Sequence, residues 1–564
     1  MNLYFNKQDK ISLLKKRPKF YVLVFLFLCS LFCFSFISCN SLDQPKNILQ
    51  PLDYTNEDVI ANEIKTIREL EEKQSTKALF RACLLGNNEI INECAEIVNN
   101  QAEQAVQDKD YALAIRLYKS LEAAFEYKPD VFPLMLVFSN EYENQLVDYY
   151  NDIPGLVVDE QKLPVTVADC INATVTVWVD QGYKVENGNG MADIVIGSGF
   201  FIDRRGYVIT NHHVISEVVN PKRKTNCKLY IKLPSDMEKK IPAKVIGYDS
   251  VMDLALLKVE YEPDFVLALG SSSELEVGDK ISVIGTPIGL EGTLTSGIIS
   301  STSRTLITMG QVFQIDAAVN SGNSGGPLID SNKKVQAIVF AGMLQYQGLN
   351  FAIPVEYLKQ ELPLLYRGEE FKHNWLGAYG HTKKIRRMSQ GLEIQYVMPG
   401  SSASYTGLTI DDVIISADGQ DVSSLEEFQL LCMKYEPGTI ISCKYLHEGQ
   451  EKDGLLYLEK RPEAPLLEIY ESDFVDDAFI PIFGMKMVRS STLNKKSYRI
   501  EYVLEGSIAD QSSFSENDNL ELQDIAFDDK NHIFYALIQI ERRKKGLLNI
   551  QIQLATSYDN PNYF

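Results

Sequence analysis

The chain has 564 residues, of which 45% are hydrophobic and 23% are charged. At roughly 150 residues per domain, this length predicts several globular domains and excludes both a single compact domain and a disordered tether. The formal net charge is −21, although the first 38 residues are basic, so the remainder is more acidic than the whole. An acidic surface repels phosphate backbones, which disfavours nucleic acid as a partner.

The segment 1–38 combines a basic start with an apolar run over 20–38. This pattern is typical of an export signal, and the run is also long enough to span a bilayer as an uncleaved anchor. Residues 36–39 resemble a bacterial lipobox, which would make Cys39 the lipidated residue of a lipoprotein. A buried core helix is the third interpretation, which the basic flank disfavours. We therefore expect a membrane-anchored protein of the cell envelope, facing the periplasm or the exterior.

The cysteines after this leader fall into three local pairs. They are Cys83 with Cys94, Cys170 with Cys227, and Cys432 with Cys443. An oxidising compartment would permit three bridges, and buried thiols are equally compatible with the pattern. The sequence has no Cys-x-x-Cys pair and no Walker-type phosphate loop. We therefore expect that the protein holds no metal or cofactor and acts without ATP.

The region 40–152 is predicted to be an all-α domain. It is rich in Ala, Glu, Leu, Gln and Asn with helical apolar spacing. Asp110, Tyr111, Ala114, Leu117 and Tyr118 resemble the second half of a tetratricopeptide unit. One partial unit needs neighbours to bury its faces, so a plain helical bundle stays open as the alternative.

The region 153–367 changes to short strands rich in Val and Ile. Predicted strands cover 175–179, 194–202, 207–210, 229–233, 254–259, 280–285 and 335–341. Because no amphipathic helices separate them, they indicate an antiparallel barrel or sandwich. Two shorter mixed regions follow, 370–462 and 475–564, and a stretch with two prolines joins them.

Three segments of the β region carry His213, Asp253 and Ser324 in that order. A serine hydroxyl needs an imidazole to take its proton and a carboxylate to orient that imidazole. The sequence Gly-Asn-Ser-Gly-Gly also fits the nucleophile elbow of α/β-hydrolases, which requires an acid and a histidine downstream of the serine. All downstream histidines lie outside the β region, so the first arrangement is favoured.

These segments resemble the trypsin-like serine proteases and, among them, the HtrA/Deg family. The resemblance extends to residues 197–200, 314–320 and 350–354. It implies an all-β double barrel in which His213 is the general base, Asp253 orients it and Ser324 is the nucleophile. It also implies an oxyanion hole made by the backbone amides of Gly322 and Ser324, with Asn323 between them.

His212 raises the question of which adjacent histidine is the base. Neighbouring strand residues point to opposite sides, so only one can face Ser324. The family pattern Thr-Asn-x-His-Val selects His213, which leaves His212 as a polar neighbour at the edge of the cleft.

The resemblance further assigns a specificity pocket to Leu349, Asn350 and Phe351. No acidic residue lies there, so we expect a modest aliphatic residue before the cut. Arg304 falls where family members carry an arginine in a loop that senses bound peptide, and a plain surface arginine is the alternative.

The region 370–462 resembles a PDZ domain of α+β fold. Its Trp375-Leu376-Gly377-Ala378 segment matches the loop whose amides receive a peptide carboxylate, so Leu376, Gly377 and Ala378 are the predicted contacts. The region 475–564 resembles a second, divergent PDZ domain. A purely structural β domain is the alternative for the first region, and loss of groove function is the alternative for the second.

Together these features predict a membrane-tethered, ATP-independent serine endopeptidase that cleaves misfolded or unfolded exported proteins. The PDZ domains are expected to bind peptide C termini. The alternative is a chaperone or scaffold with a latent or regulated protease domain. The family commonly forms trimers, so the resemblance implies a homotrimer or a higher oligomer.

Overall fold

The computed structural model describes residues 55–129, 160–186, 189–220, 227–286, 292–305, 310–320, 322–342, 349–386, 388–491, 496–529, 531–543 and 547–564. The predicted leader 1–38 and Cys39 lie outside these residues. Among the residues described, no helix is both long enough and apolar enough to cross a bilayer.

Four helices form the first described region. They are α1 (Glu57–Leu70), α2 (Ser75–Leu85), α3 (Asn88–Gln107) and α4 (Tyr111–Tyr127). Asn56, Asn87 and Asp110 precede three of them and accept hydrogen bonds from amides of the first turn, which satisfies donors that the helix cannot pair itself. The predicted helical region is confirmed, whereas the tetratricopeptide pattern stays a prediction.

The protease region contains two antiparallel strand rings and three helices. The first ring is built from β1 (Thr174–Glu186), β2 (Asn189–Asp203), β3 (Tyr207–Thr210), β4 (Lys228–Leu233), β5 (Asp236–Asp249) and β6 (Leu254–Val259). The second is built from β7 (Lys280–Gly285), β8 (Thr293–Thr305), β9 (Gln311–Ile315), β10 (Pro327–Ile329), β11 (Val335–Gly342) and β12 (Asn350–Pro354). The helices are α5 (Val167–Asn172), α6 (His212–Val219) and α7 (Val355–Arg367), with 3₁₀ turns at Glu160–Lys162 and Ser272–Glu274.

Strand pairing confirms the predicted double barrel. The first ring runs β5-β4-β1-β2-β3-β6, and β5 also pairs with β6, which closes it. The second ring is a closed barrel in the order β10-β11-β12-β9-β8-β7. Each ring encloses its own cluster of buried Val, Ile, Leu and Phe side chains.

The first PDZ region has a six-stranded sheet and two helices. Its elements are β15 (Ala378–Ile385), β16 (Met388–Val397), α8 (Ser402–Thr406), β17 (Val413–Ala417), β18 (Gln420–Asp421), α9 (Leu425–Cys432), β19 (Ile440–His447) and β20 (Gln450–Tyr457). The short strands β13 (Glu369–Glu370), β14 (Asn374–Trp375) and β21 (Glu459–Lys460) flank it. The sheet order is β15-β16-β17-β19-β20, with β18 paired to β17.

The helical region packs against this first PDZ region. Ile440, Leu455 and Tyr457 belong to the same buried apolar cluster as α1–α4. Ser120 Oγ accepts a hydrogen bond of 3.0 Å from the Ile440 amide, and Lys77 Nζ lies 2.6 Å from a carboxylate oxygen of Glu459. The helices are therefore fixed to the β19–β20 side of the sheet.

The last region has the helices α10 (Pro465–Ser472), α11 (Val475–Phe483) and α12 (Ile508–Gln511). Its antiparallel sheet runs in chain order through β22 (Met485–Arg489), β23 (Ser497–Val503), β24 (Asn519–Asp528), β25 (Ile533–Arg543) and β26 (Leu547–Ser557). Residues 562–564, which fall within the range 475–564 expected for this region, pair with the start of β15.

The six described cysteines form no disulfide with one another. All except the half-buried Cys227 are buried. Burial raises the pKa of Cys83, Cys94 and Cys443 to about 12, so these thiols stay protonated at neutral pH. These six cysteines are therefore thiols in the structure and do not form the three bridges that the sequence would permit.

Candidate active site

The two adjacent histidines lie in the first turn of α6. The prediction that they are strand residues is wrong, because β3 ends at Thr210 and the helix begins at His212. Asp253 comes directly before β6, and β3 and β6 pair so that Thr210 lies opposite Ala255. This pairing brings Asp253 to the start of the helix.

Asp253 holds the start of α6 through its side chain and its backbone. Its Oδ2 lies 2.7 Å from His213 Nδ1, and its Oδ1 accepts a 2.7 Å hydrogen bond from the His213 amide. Its carbonyl accepts from the His212 amide at 3.2 Å and from Asn211 Nδ2 at 2.8 Å. These bonds stabilise the left-handed φ of +57° at Asp253, which is unfavourable for a residue with a side chain.

The carboxylate also sets the protonation of His213. With Nδ1–H donated to Asp253, Nε2 is left as the proton acceptor of the neutral ring. Burial lowers the pKa of His213, but the hydrogen bond and the charge of Asp253 outweigh burial and raise this pKa above 6.5.

His212 has a different environment. Its ring stacks on Tyr248 with the centroids 5.1 Å apart, and burial lowers its pKa below 6.5. The geometry therefore pairs the carboxylate with His213, although both histidines lie on a helix.

The serine lies in a loop that Ser198 holds in place. The Ser198 amide donates to the Ser324 carbonyl at 2.7 Å, and the Ser198 hydroxyl donates to the Gly322 carbonyl at 2.6 Å. A Cβ on Gly325 would lie 2.2 Å from the Ser198 carbonyl oxygen and 3.0 Å from the Asn211 amide nitrogen. The loop therefore packs against the start of α6 so closely that only glycine fits. Sequence reasoning missed this role of Ser198.

The backbone amides of the serine loop differ in whether the described residues offer them an acceptor. Among the described residues, the N–H groups of Gly322 and Ser324 donate to no protein atom, whereas the Asn323 amide donates to the Asn320 carbonyl at 3.0 Å. Asn323 Oδ1 is buried and also lacks a partner. Unpaired amides next to a nucleophile are what stabilisation of a developing oxyanion requires.

The serine hydroxyl is not yet aimed at the imidazole. Ser324 Oγ donates to the Phe340 carbonyl at 3.3 Å, and no hydrogen bond joins it to His213 in the described part of the chain. Catalytic hydrogen bonds are often absent or long before substrate binds. A rotation of the Ser324 side chain is therefore needed before it can lose its proton to His213.

The remaining residues predicted for the protease site lie in the second barrel. Asn350 and Phe351 are buried in β12, and Asn350 Nδ2 donates to the Ala317 carbonyl at 2.8 Å. Leu349 is half-buried and precedes this strand. Arg304 lies in β8, and its Nε donates to Gln314 Oε1 of the neighbouring β9 at 2.8 Å.

In the loop of the first PDZ region predicted to bind a peptide carboxylate, the Ala378 amide already donates a hydrogen bond. Gly377 has a φ of +75°, and the Ala378 amide donates to the main-chain oxygen of Phe564 at 2.9 Å. Leu376 is buried and joins the apolar core of this region. No group of three or more His, Cys, Asp or Glu side chains among the described residues could hold a metal ion.

Four family models match the chain. They are a trypsin-like peptidase domain over residues 197–338, a PDZ domain over 368–441, a TP0546 family PDZ domain over 466–558 and a domain of unknown function (DUF8517) over 58–131. The fold and these matches define a trypsin-like peptidase domain combined with two PDZ domains.

Similar proteins point to one family. A "probable periplasmic serine endoprotease DegP-like" of Hahella chejuensis is 33% identical over 280 residues, which cover 47% of this chain and 57% of that protein. Its counterpart in Chlamydia trachomatis is 32% identical over 272 residues, covering 46% and 52%. The chain spans little more than half the length of these relatives. With its peptidase and PDZ domains, the chain resembles serine proteases of the HtrA/DegP family.

Solved structures give similar matches. The HtrA-type protease AlgW with a decapeptide is 24% identical with a TM-score of 0.44, covering 53% of this chain and 99% of that one. A serine endoprotease from Yersinia pestis is 25% identical with a TM-score of 0.40, covering 53% and 100%.

Proposed function

We propose that the chain is a serine endopeptidase of the cell envelope that cleaves unfolded or misfolded exported proteins. One observation carries the proposal. The His213–Asp253 pair lies at the start of α6, against the glycine loop of Ser324 and its two unpaired amides. The names of the relatives support the same activity and a periplasmic location.

The geometry supports an acyl-enzyme mechanism. Ser324 Oγ turns from the Phe340 carbonyl, attacks a peptide carbonyl and gives its proton to His213 Nε2. Asp253 stabilises the imidazolium, and the amides of Gly322 and Ser324 bind the oxyanion. His213 then protonates the leaving amine and later activates the water that releases the acyl group.

Substitution of the nucleophile tests this activity. Ser324→Ala should abolish cleavage of casein, while Ser273→Ala, which removes a hydroxyl from an exposed 3₁₀ turn, should leave it unchanged. Casein cleavage that survives in Ser324→Ala would contradict the assignment.

Substrate selection is proposed to follow the residues of the second barrel. Leu349, Asn350 and Phe351 carry no charge, which favours a modest aliphatic residue before the cut. Sequencing the new C termini of casein fragments tests this preference, and a majority of Lys or Arg at these ends would contradict it.

The Ser324–Phe340 hydrogen bond favours a second candidate, a client-binding scaffold whose protease is latent or regulated. Labelling with a serine-reactive fluorophosphonate separates the two functions. Constitutive labelling supports the protease, labelling only after a C-terminal peptide is added supports a regulated protease, and no labelling supports the scaffold. Arg304 is the proposed sensor of that peptide.

Anchoring and assembly complete the proposal. Segment 1–38 is proposed to tether the chain, either through a lipid on Cys39 or as an uncleaved helix. Cys39→Ala should abolish incorporation of labelled palmitate if the lipid is the anchor. The amides of Leu376, Gly377 and Ala378 are proposed to bind peptide carboxylates. Family resemblance supports ATP-independent action and a homotrimer or higher oligomer, which light scattering tests.

A further inference from the structure

The segment Tyr558–Phe564 ends in an isolated antiparallel bridge to β15, in which Tyr563 pairs with Tyr379. The Phe564 amide donates to the Ala378 carbonyl at 3.0 Å, and the Ala378 amide donates back at 2.9 Å. The Gly380 amide donates to the Asn562 carbonyl at 3.2 Å. Addition of a strand to this edge is how PDZ domains bind extended peptides. The groove between β15 and α9 therefore holds a segment of the same chain.

The side chain of Phe564 fills the apolar part of this groove. It is 3% exposed and belongs to the same buried cluster as the core of the first PDZ region. Its ring meets Phe428 of α9 edge to face, with the centroids 5.6 Å apart. Gln429 Nε2, on the same helix, donates to the Pro561 carbonyl at 2.8 Å. Both walls of the groove thus contact the segment.

Contacts beside the groove hold the segment further. The buried Arg461 donates from Nη1 to the Tyr563 carbonyl at 2.9 Å and pairs through Nη2 with Asp559. The Tyr563 ring is buried against Tyr379 at 5.6 Å and against Trp375 at 6.4 Å. Such a set of polar and aromatic contacts is typical of a bound ligand rather than of a loose connection.

We propose that residues 558–564 are an intramolecular ligand that closes the groove of the first PDZ region to other peptides. An external ligand must pair with the same edge of β15, so it and the segment exclude each other. The peptide class that competes is one that places an aromatic ring beside Phe428, as Phe564 does. The inference rests on the proposed peptide-binding function of this groove.

Because residues 558–564 belong to the same chain as the groove, they compete effectively with free peptides. A ligand on the same chain acts at an effective concentration of about 1 mM, so free peptides compete poorly until the segment is weakened. Phe564→Ala removes the buried ring while the backbone stays able to pair. Asp559→Asn weakens the ion pair with Arg461 and keeps the buried ring, so it is the milder variant, should the first variant fold poorly.

Peptide binding to the full chain tests the proposal. The probe is a fluorescent heptapeptide with the sequence of residues 558–564, measured by anisotropy. Phe564→Ala should bind it at least about tenfold more tightly than the parent chain. Phe474→Ala, which removes a ring that is 38% exposed, should bind as the parent does. Asp559→Asn should lie between the parent and Phe564→Ala.

If the parent chain and both segment variants bind the probe peptide with equal, measurable affinity, residues 558–564 do not close the groove. No binding to any protein would overturn the peptide-binding function on which it rests. The fluorescence of Trp375, isolated by Trp178→Phe, gives an independent readout, since the sequence has only two tryptophans. Its emission should shift to the red in Phe564→Ala as Tyr563 leaves, and an unshifted spectrum would contradict the proposal.

Discussion

Replacing Asp253 with Asn tests the proposed catalytic chemistry with almost no change of shape. The carboxylate now accepts two hydrogen bonds of 2.7 Å, one from the His213 amide and one from His213 Nδ1. An amide has only one oxygen. If that oxygen keeps accepting from the His213 amide, the side-chain NH₂ group faces His213 Nδ1. Nδ1 must then become a hydrogen-bond acceptor. The proton moves to Nε2, and the ring can no longer take the proton of Ser324.

The size of the loss follows from this change of tautomer. For the same exchange in a Ser-His-Asp triad, kcat falls about 10⁴-fold, which corresponds to about 5.4 kcal/mol of transition-state stabilisation. The pH profile should change as well. The hydrogen bond and charge of Asp253 raise the pKa of His213 above 6.5, whereas burial alone lowers it. Since the base must be neutral, wild-type activity should rise with pH through a midpoint above 6.5, and the midpoint of Asp253→Asn should be lower.

Hydrolysis of a fluorogenic peptide from pH 5 to 9 measures both effects. Asp236→Asn, at an exposed strand start, is the matched control and should retain full activity. The reasoning would be refuted by an Asp253→Asn enzyme whose kcat stays within tenfold of wild type, or whose midpoint does not move.

Two further predictions concern stability and the serine loop. Burial and the neighbouring charge of Asp249 raise the pKa of Glu361 well above 4.5, so the folded state holds a proton that the unfolded state releases as pH rises past 4.5. Glu361→Gln should therefore have a higher free energy of unfolding than wild type at pH 7, and the difference should be smaller at pH 4. Urea unfolding measures both, and the same difference at the two pH values would contradict this. Gly325→Ala should lower casein cleavage about a hundredfold or more, because its Cβ would lie 2.2 Å from the Ser198 carbonyl and displace the oxyanion donors. Gly278→Ala, whose φ of +100° is equally unfavourable but whose Cβ meets open space, should retain cleavage, so a shared loss would point to backbone strain instead.

Sequence pattern predicted several strands with their exact bounds, although it missed the fully buried β10 and β12. The segments 207–210, 254–259 and 280–285 have the same bounds as β3, β6 and β7. The strand β5 was missed because charged residues interrupt it and few of its residues are buried, so it lacks the apolar signal of a buried strand. It is defined by pairing with both β4 and β6, which depends on tertiary structure.

The candidate site was predictable in its residue types but not in its local geometry. The motif selected His213, yet the prediction from alternating strand faces was wrong, because β3 ends at Thr210 and His213 lies on a helix. The strain at Asp253 and the direction of the Ser324 hydroxyl depend on contacts between distant segments. For the same reason, the pairing of Phe564 with β15, almost two hundred residues away in sequence, could not be predicted from sequence pattern.

Locating the adduct of a serine-reactive probe tests whether His213 activates Ser324. The wild-type chain and His213→Ala are treated with a fluorophosphonate, in the presence of the 558–564 peptide and without it, and the adduct is located by mass spectrometry of peptides. We expect an adduct on Ser324 in the wild type and its loss in His213→Ala. An adduct on another serine, or equal labelling of Ser324 without His213, would rule out this pair as nucleophile and base.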